Sequence, residues 1–233
     1  GIDGTIGPKF ITQLNVTPAE RAQQILVNLE RLRWMPDIKD TTYILVNIPE
    51  YKMYVYDSLK NNFTMNVVVG KAATSTVIFS GSLRTIVFSP YWKVPLSIVK
   101  NEIVPGIRKN PDYLAKHNMV RLGGSDTLPS IRQNPGSSNS LGRVKFLFPN
   151  SYDIYFHDTP QKGLFSASDR SFSHGCIRLG EPKKLAVFLL KNDTSWNDLR
   201  IDTSMNQQKE VYAQLKRQVP VYITYFTAWV DKD

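Results

Sequence analysis

The chain of 233 residues contains a single cysteine, Cys176, and three histidines. One cysteine cannot form a disulfide within the chain, and the cysteine count does not fix the cellular compartment. No stretch of about 18 consecutive apolar residues is present, so the sequence offers no membrane-spanning helix. No repeat of about 20 to 50 residues is visible, which argues against a solenoid or a propeller.

The composition is that of an ordinary globular protein, with 42% hydrophobic and 21% charged residues. It excludes a disordered tail, a collagen-like fibre and a coiled coil, and the length suits one large domain or one domain with a small appendage. Lys and Arg number 29 against 20 Asp and Glu, a formal net charge of +9. That excess favours an acidic partner such as nucleic acid, a lipid surface or an anionic cell-wall polymer, although it also serves solubility alone.

The N-terminal part divides into a Gly-rich piece and a helix. Residues 1–9 have neither the basic nor the apolar region of a signal peptide, so we expect any leader or anchor to lie outside this sequence. A helix is predicted from Thr17, which can cap it, with Pro18 at its first position and Glu20 completing a capping box. Apolar residues then recur at helical spacing until Pro36.

Beyond residue 40 the pattern predicts a mainly β domain with peripheral helices, an α+β fold. Short strands are predicted at 43–48, 51–56, 63–69, 85–88, 144–148, 154–157 and 221–230. Further helices are predicted from Glu181-Pro182 and at 197–205 and 209–217. The stretch 110–141 is rich in Gly, Ser, Asn and Pro, and such a long loop indicates a lid or substrate-binding insertion, with a disordered connection as the alternative.

The residues that could take part in a reaction are concentrated near the lone cysteine. A histidine within reach activates a cysteine nucleophile, and His157 and His174 both precede Cys176 in the chain. Gly175 allows close approach of the backbone, whose N–H groups can stabilise an oxyanion. The planar guanidinium of Arg178 can donate two parallel hydrogen bonds to a carboxylate.

Two other interpretations of these residues are open at this point. A lone cysteine is often a small buried hydrophobic residue. A zinc site could use His157, Asp158, His174 and Cys176, although their spacing is not compact. His117 has no partner nearby in sequence and is predicted to lie on the surface.

Two segments resemble the active-site signature of the YkuD-type L,D-transpeptidases: His157-Asp158-Thr159-Pro160 and Ser173-His174-Gly175-Cys176-Ile177-Arg178-Leu179. That signature is a histidine, a gap of roughly 15 to 20 residues, then Ser-His-Gly-Cys with an arginine two positions on. The approach to the motif, Asn139-Ser140-Leu141-Gly142-Arg143-Val144-Lys145-Phe146, is also similar to the family, and the resemblance spans about residues 43–230.

The resemblance implies a role for each matching residue. Cys176 would be the nucleophile and His157 its base, while Gly175 and Cys176 would supply N–H groups to the oxyanion hole. His174 would shape the site rather than transfer a proton. The substrate-binding residues would be Arg178, Tyr155, Ser173 and Asn139. The group that orients His157 stays open between the Asp158 carboxylate and a backbone carbonyl. Neither a metal nor a cofactor is implied.

The resemblance also implies a fold, a partner and a location. The fold would be the YkuD-type mixed β-sandwich. The chain looks most like the larger periplasmic Gram-negative enzymes, of the YcbB type, which act on peptidoglycan stem peptides and are acylated by carbapenems. Residues 1–16 would then be the remnant of a peptidoglycan-binding module, 17–40 a connector helix and 41–233 the catalytic domain, with a cap insertion at about 101–141.

The implied reaction joins two stem peptides. Cys176 would take the acyl group of a tetrapeptide donor, release D-Ala and pass the acyl group to a diaminopimelate amine, giving a 3→3 cross-link. Alternatives are an L,D-carboxypeptidase or hydrolase that uses the same residues, and a non-catalytic peptidoglycan-binding module. No nucleic-acid-reading motif is present, which ranks a nucleic-acid partner last.

Overall fold

The computed structural model describes residues 4, 6–71, 76–173 and 175–230. Over these residues the strands are β1 Tyr43–Asn47, β2 Lys52–Asp57, β3 Lys60–Gly70, β4 Phe79–Phe88, β5 Trp92–Lys93, β6 Met119–Gly124, β7 Pro129–Gln133, β8 Val144–Leu147, β9 Phe156–His157, β10 Ser171–Ser173, β11 Ile177–Leu179 and β12 Val211–Thr224. The helices are α1 Pro8–Leu14, α2 Pro18–Arg33, α3 Leu96–Ile98, α4 Val104–Lys109, α5 Tyr113–Lys116, α6 Pro182–Leu190 and α7 Asp198–Met205.

Nine of the described strands form one mixed sheet in the order β10-β3-β11-β9-β8-β4-β12-β1-β2. Because β2 also pairs with β3, the sheet closes on itself. Side chains from its inner face, with α6 and α7, build one apolar core whose largest members are Phe88, Phe146, Phe148 and Phe156. The prediction of a mainly β domain with peripheral helices is confirmed.

A second, smaller unit lies between β4 and β8. The strands β5, β7 and β6 form a three-stranded sheet, and a π-helical turn, Val99–Ile103, joins α3 to α4 beside it. Seven buried apolar residues give this unit its own core: Val94, Ile98, Val99, Ile103, Val104, Met119 and Ile131. The stretch 110–141, predicted as a loop, therefore contains a helix and two strands. Within the described ranges, no helix of the chain has the length and apolarity needed to cross a membrane.

Helix α2 begins with the predicted capping box, in which Thr17 and Glu20 exchange hydrogen bonds. Its predicted apolar stripe, however, faces outward, and Leu26 is 65% exposed. The helix instead attaches to the chain after β12 through polar groups. The side chain of Asn28 is buried and bonds to both the hydroxyl and the backbone N–H of Thr227.

The helix predicted at 209–217 is wrong. This segment is the first half of β12, which pairs antiparallel with β4 and parallel with β1. Helix-forming residues such as Gln214 and Lys216 are frequent here, but Val211, Ala213 and Leu215 alternate with them and turn toward the core. Pairing of residues 211–214 with β4, together with packing of the alternate side chains on the core, overrides the local helix propensity. The last strand ends at Thr224 rather than continuing to residue 230.

Candidate active site

The adjacent strands β9 and β11 bring the signature residues together. They run parallel, with Phe156 opposite Ile177 and His157 opposite Arg178. Successive side chains of a strand point to opposite faces of the sheet. Phe156 and Ile177 are completely buried in the core, so their neighbours His157 and Arg178 point to the other face.

Tyr155 and Cys176 come one step before the strand pair, where the N–H of Ile177 donates to the carbonyl of Tyr155 at 3.2 Å. Tyr155 lies two residues before His157, and Cys176 lies two residues before Arg178. Because side chains two apart in an extended chain point the same way, Tyr155 and Cys176 share the face of His157 and Arg178. Tyr155, His157, Cys176 and Arg178 all line one cleft of about 960 Å³ between the main sheet and the smaller unit. The burial of Phe156 and Ile177 in the core thus holds the four predicted site residues on one side of the cleft.

His157 is buried, and its Nδ1 lies 2.5 Å from the backbone carbonyl oxygen of Asp158. A carbonyl oxygen only accepts, so Nδ1 carries the proton and Nε2 has the free lone pair. Burial above all, and the nearby charge of Arg178, lower the pKa of His157 to about 4. The ring is therefore neutral at pH 7, and the group that orients it is a backbone carbonyl.

The Asp158 carboxylate has a different role. It accepts hydrogen bonds from the backbone N–H groups of Arg143 at 2.9 Å and Thr159 at 2.7 Å, and it forms an ion pair with Lys162 at 2.5 Å. These bonds fix the backbone of the residue whose carbonyl holds His157. Asp158 therefore positions the His157 ring through its main chain.

Gly142 is required for this arrangement. Its φ is +62°, and a Cβ at this position would lie 2.4 Å from the Asp158 Cγ. We expect Gly142→Ala to lower the free energy of unfolding by roughly 2 kcal/mol, since a left-handed alanine is strained and the carboxylate must move. Chemical denaturation measures the change. Gly163→Ala is the matched control, because its Cβ would meet no heavy atom within 4 Å. Equal stability of the two variants would contradict the assignment.

The turn that carries Cys176 is held by hydrogen bonds. The Ser173 hydroxyl donates to the carbonyl of Cys176 at 2.5 Å and accepts from the N–H of Gly175 at 3.1 Å. The Thr76 hydroxyl donates to the carbonyl of Gly175 at 2.8 Å and so ties the turn to the end of β3. Gly175 has φ +112°, which favours glycine at this position.

These bonds change two predicted roles. The N–H of Gly175 donates to the Ser173 hydroxyl and is therefore already used, which corrects its predicted role as an oxyanion donor. Ser173 lines the cleft, but its hydroxyl is used in the turn that carries Cys176. His174 lies outside the described residues.

Cys176 is partly buried, and its Sγ lies 3.7 Å from the carbonyl oxygen of Asp153. Burial raises the pKa of the thiol, and the Asp153 carboxylate adds to the rise, whereas hydrogen bonds with Tyr155 oppose it. No hydrogen bond joins Sγ to His157 in the part of the chain that is described. The resting pair is thus a neutral thiol beside a neutral imidazole rather than a preformed ion pair.

Arg178 lines the same cleft as His157 and Cys176, and its charge lowers the pKa of His157 and opposes the rise in the pKa of Cys176. Its guanidinium donates to the Gln161 side chain at 2.7 Å. Gln161 lies in the cleft lining and was missed from the sequence, where nothing but its position four residues after His157 marks it.

Asn139 differs from its predicted role in substrate binding. Its side chain is completely buried, donating to the carbonyls of Pro90 and Asn134 and accepting from the N–H of Leu141. All its polar groups are used within the fold, where they fasten the smaller unit to the main sheet. Its neighbours Ser138 and Ser140 line the cleft instead.

The cleft contains cations, as the net charge suggested. Lys93 and Lys145 line it, and Lys145 is 3.5 Å from Glu210. Arg143, by contrast, lines a separate cavity beside Asp158. Among the described residues, no three or more His, Cys, Asp or Glu side chains are grouped as metal ligands would be.

A family model describing the YkuD L,D-transpeptidase catalytic domain matches residues 41–223. The chain belongs to this family. The match contains the closed sheet up to β12, the smaller unit and every residue of the site described above, so the YkuD domain is the part of the chain that carries the chemistry.

A curated relative from Haemophilus influenzae, named "Putative L,D-transpeptidase", is 31% identical over 225 residues. The alignment covers 90% of this chain but 45% of that relative, so the chain spans about half its length.

Solved structures of L,D-transpeptidases are also similar, though distantly. L,D-transpeptidase 3 from Mycobacterium tuberculosis is 13% identical, with 79% of this chain and 61% of that chain covered and a TM-score of 0.40. The catalytic domain of the E. faecium enzyme, acylated by ertapenem, is 15% identical, with 79% and 97% covered and a TM-score of 0.35.

Proposed function

We propose that this YkuD domain is a peptidoglycan L,D-transpeptidase that forms 3→3 cross-links through an acyl-enzyme on Cys176. The observation that carries the proposal is the shared face of β9 and β11, which puts Cys176, His157 and Arg178 in one cleft. The cleft volume, about 960 Å³, lies at the upper end of the usual range for ligand sites and has room for peptide stems.

The first half-reaction acylates the enzyme. Nε2 of the neutral His157 takes the thiol proton as the sulfur attacks the carbonyl that precedes D-Ala in the donor stem. Because burial disfavours a free thiolate, proton transfer and attack occur together. The N–H of Cys176 stabilises the oxyanion, and the imidazolium then protonates the leaving amine of D-Ala.

The second half-reaction transfers the acyl group. An acceptor amine attacks the thioester, His157 removes its proton, and the carbon–sulfur bond breaks as the sulfur regains that proton. The cations Lys93 and Arg178 suit the carboxylates of the stems. We further propose that the protein acts in the periplasm of a Gram-negative cell, where peptidoglycan is found. A carbapenem, with its strained amide and carboxylate, is a suitable covalent inhibitor.

Product analysis with a purified disaccharide-tetrapeptide tests the proposal. We expect a dimer that has lost one D-Ala, and fragmentation should place its new bond between two diaminopimelate residues. Mass spectrometry of the products over time is the measurement, and Cys176→Ala is the control that should give neither dimer nor free D-Ala. Tripeptide and D-Ala without dimer would identify a carboxypeptidase, and no turnover would indicate a binding module.

A further inference from the structure

The cleft contains an acidic side chain that the acylation chemistry does not explain. Asp153 lines the cleft, and its own carbonyl oxygen is 3.7 Å from the sulfur of Cys176. Its negative charge opposes formation of a thiolate at Cys176. Because this carboxylate disfavours the thiolate that the first half-reaction needs, we look for its function in the second half-reaction.

The position of Asp153 is built by its loop. Asn150 donates from its side chain to the carbonyls of Phe148 at 2.7 Å and Ile154 at 2.8 Å. It also accepts from the N–H groups of Tyr152 and Ile154. These bonds hold Asp153 at φ +54°, a left-handed conformation that aspartate and asparagine tolerate better than most residues. The backbone that carries the Asp153 carboxylate is therefore held in place by the hydrogen bonds of Asn150.

The carboxylate of Asp153 is also available to a ligand. Within the described ranges it forms neither an ion pair nor a hydrogen bond, and the residue is exposed. Glu102, the other acid in the described lining, already has an interaction within the protein. Lys145 is 3.5 Å from Glu210, and Arg178 donates to Gln161, so no described cation of the lining neutralises the Asp153 carboxylate in the cleft.

We propose that Asp153 binds the ammonium group of the acceptor and thereby selects an amine rather than water as the acyl acceptor. The inference rests on the proposed transpeptidase function and names the determinant of its second half-reaction. The carboxylate concentrates a cationic amine next to the thioester, where water gains no comparable attraction. Asp153 is a specificity-determining residue and transfers no proton.

The proton balance is closed without a further reactant. The bound ammonium releases one proton to solvent and becomes an amine. It gives a second proton to His157 while its nitrogen attacks the thioester carbon. The carbon–sulfur bond breaks, and His157 returns that proton to the sulfur, so the products are an amide and the neutral Cys176 thiol.

Asp153→Asn tests the inference, because asparagine keeps the size and the left-handed backbone and removes only the charge. The donor is the disaccharide-tetrapeptide, and the acceptor is an isotope-labelled disaccharide-tripeptide, which has the amine but no D-Ala to lose. We expect the dimer formed per D-Ala released to fall about tenfold, equivalent to about 1.4 kcal/mol of lost attraction. The half-saturating acceptor concentration should rise by a similar factor.

Two controls separate this role from a structural one. Hydroxylamine, largely uncharged at neutral pH, should capture the acyl-enzyme equally well in the variant and the parent. Carbapenem acylation should be as fast or faster in Asp153→Asn, since a charge that opposes the thiolate is gone. Asp37→Asn, at an exposed position outside the cleft, is the matched variant and should behave as the parent.

Each outcome decides the question. An unchanged dimer yield per D-Ala in Asp153→Asn overturns the role of Asp153 and leaves the transpeptidase function standing. Slower carbapenem acylation in that variant overturns it as well, because the residue then acts in the first half-reaction. Absence of dimer with the parent protein overturns the proposed function and this inference together.

Discussion

Cys176→Ala is expected to abolish covalent labelling of the protein by a carbapenem. The sulfur attacks the strained lactam carbonyl, the ring opens and no group leaves, so the parent should gain the mass of one whole inhibitor. Alanine has no nucleophile, and the loss in acylation rate should be on the order of 10⁴-fold or more. Intact-mass spectrometry over a time course measures it.

The sequence makes the result of this experiment easy to assign to one residue. Cys176 is the chain's single cysteine, so no second thiol can take over the reaction. Its side chain lies at the cleft wall, partly buried, so its loss should leave the fold intact. Cys176→Ser is a second variant that keeps the shape and hydrogen bonding with a poorer nucleophile. Full-mass adduct on Cys176→Ala would overturn the assignment of the nucleophile.

His157→Gln is expected to slow acylation at neutral pH by roughly 10² to 10⁴-fold. Glutamine can still donate to the carbonyl of Asp158 that now holds Nδ1, but it offers no basic nitrogen to the thiol. The matched control is His117→Gln. His117 is exposed in the smaller unit, and within the described structure its ring forms one hydrogen bond, with the carbonyl of Tyr113.

The pH dependence distinguishes loss of a base from damage to the site. Burial lowers the pKa of His157 to about 4, so the parent's acylation rate should stay nearly level from mildly alkaline pH down to about pH 5 and fall near pH 4. In His157→Gln the rate should instead follow the free thiolate, rising about tenfold per pH unit, because burial raises the pKa of Cys176. Parallel profiles for the two proteins would place the base elsewhere.

The lowered pKa of His157 also makes the stability of the fold depend on pH. The folded pKa of His157 lies below its ordinary value of 6.5, so the unfolded chain binds a proton first as the pH falls. The contribution of the neutral ring is therefore complete above pH 6.5 and is lost between pH 6.5 and 4. This loss accompanies the acid limb of the activity.

The sequence allowed good predictions where a local signal is strong. The start of α2 follows from Thr17, Pro18 and Glu20, whose side chains satisfy the first backbone N–H groups. The spacing of the motif predicts that Cys176 and His157 share a site, and both residues line one cleft. The segment 209–217 was mispredicted because helix propensity is local, whereas this part of β12 is stabilised by pairing with β4, which lies more than 120 residues earlier in the chain.

By itself the sequence predicted the kind of chemistry, since one thiol, a histidine and an arginine in a known spacing leave few other candidates. Only the tertiary structure decided how these groups are arranged and what surrounds each of them. Strand register sets which side chains share a face, so it alone puts Tyr155 and Arg178 beside the pair. Burial sets the charge of His157, and hydrogen bonds across the chain remove Asn139 from the cleft and bring Asp153 to the nucleophile. These properties depend on contacts between distant residues, which spacing along the chain does not encode.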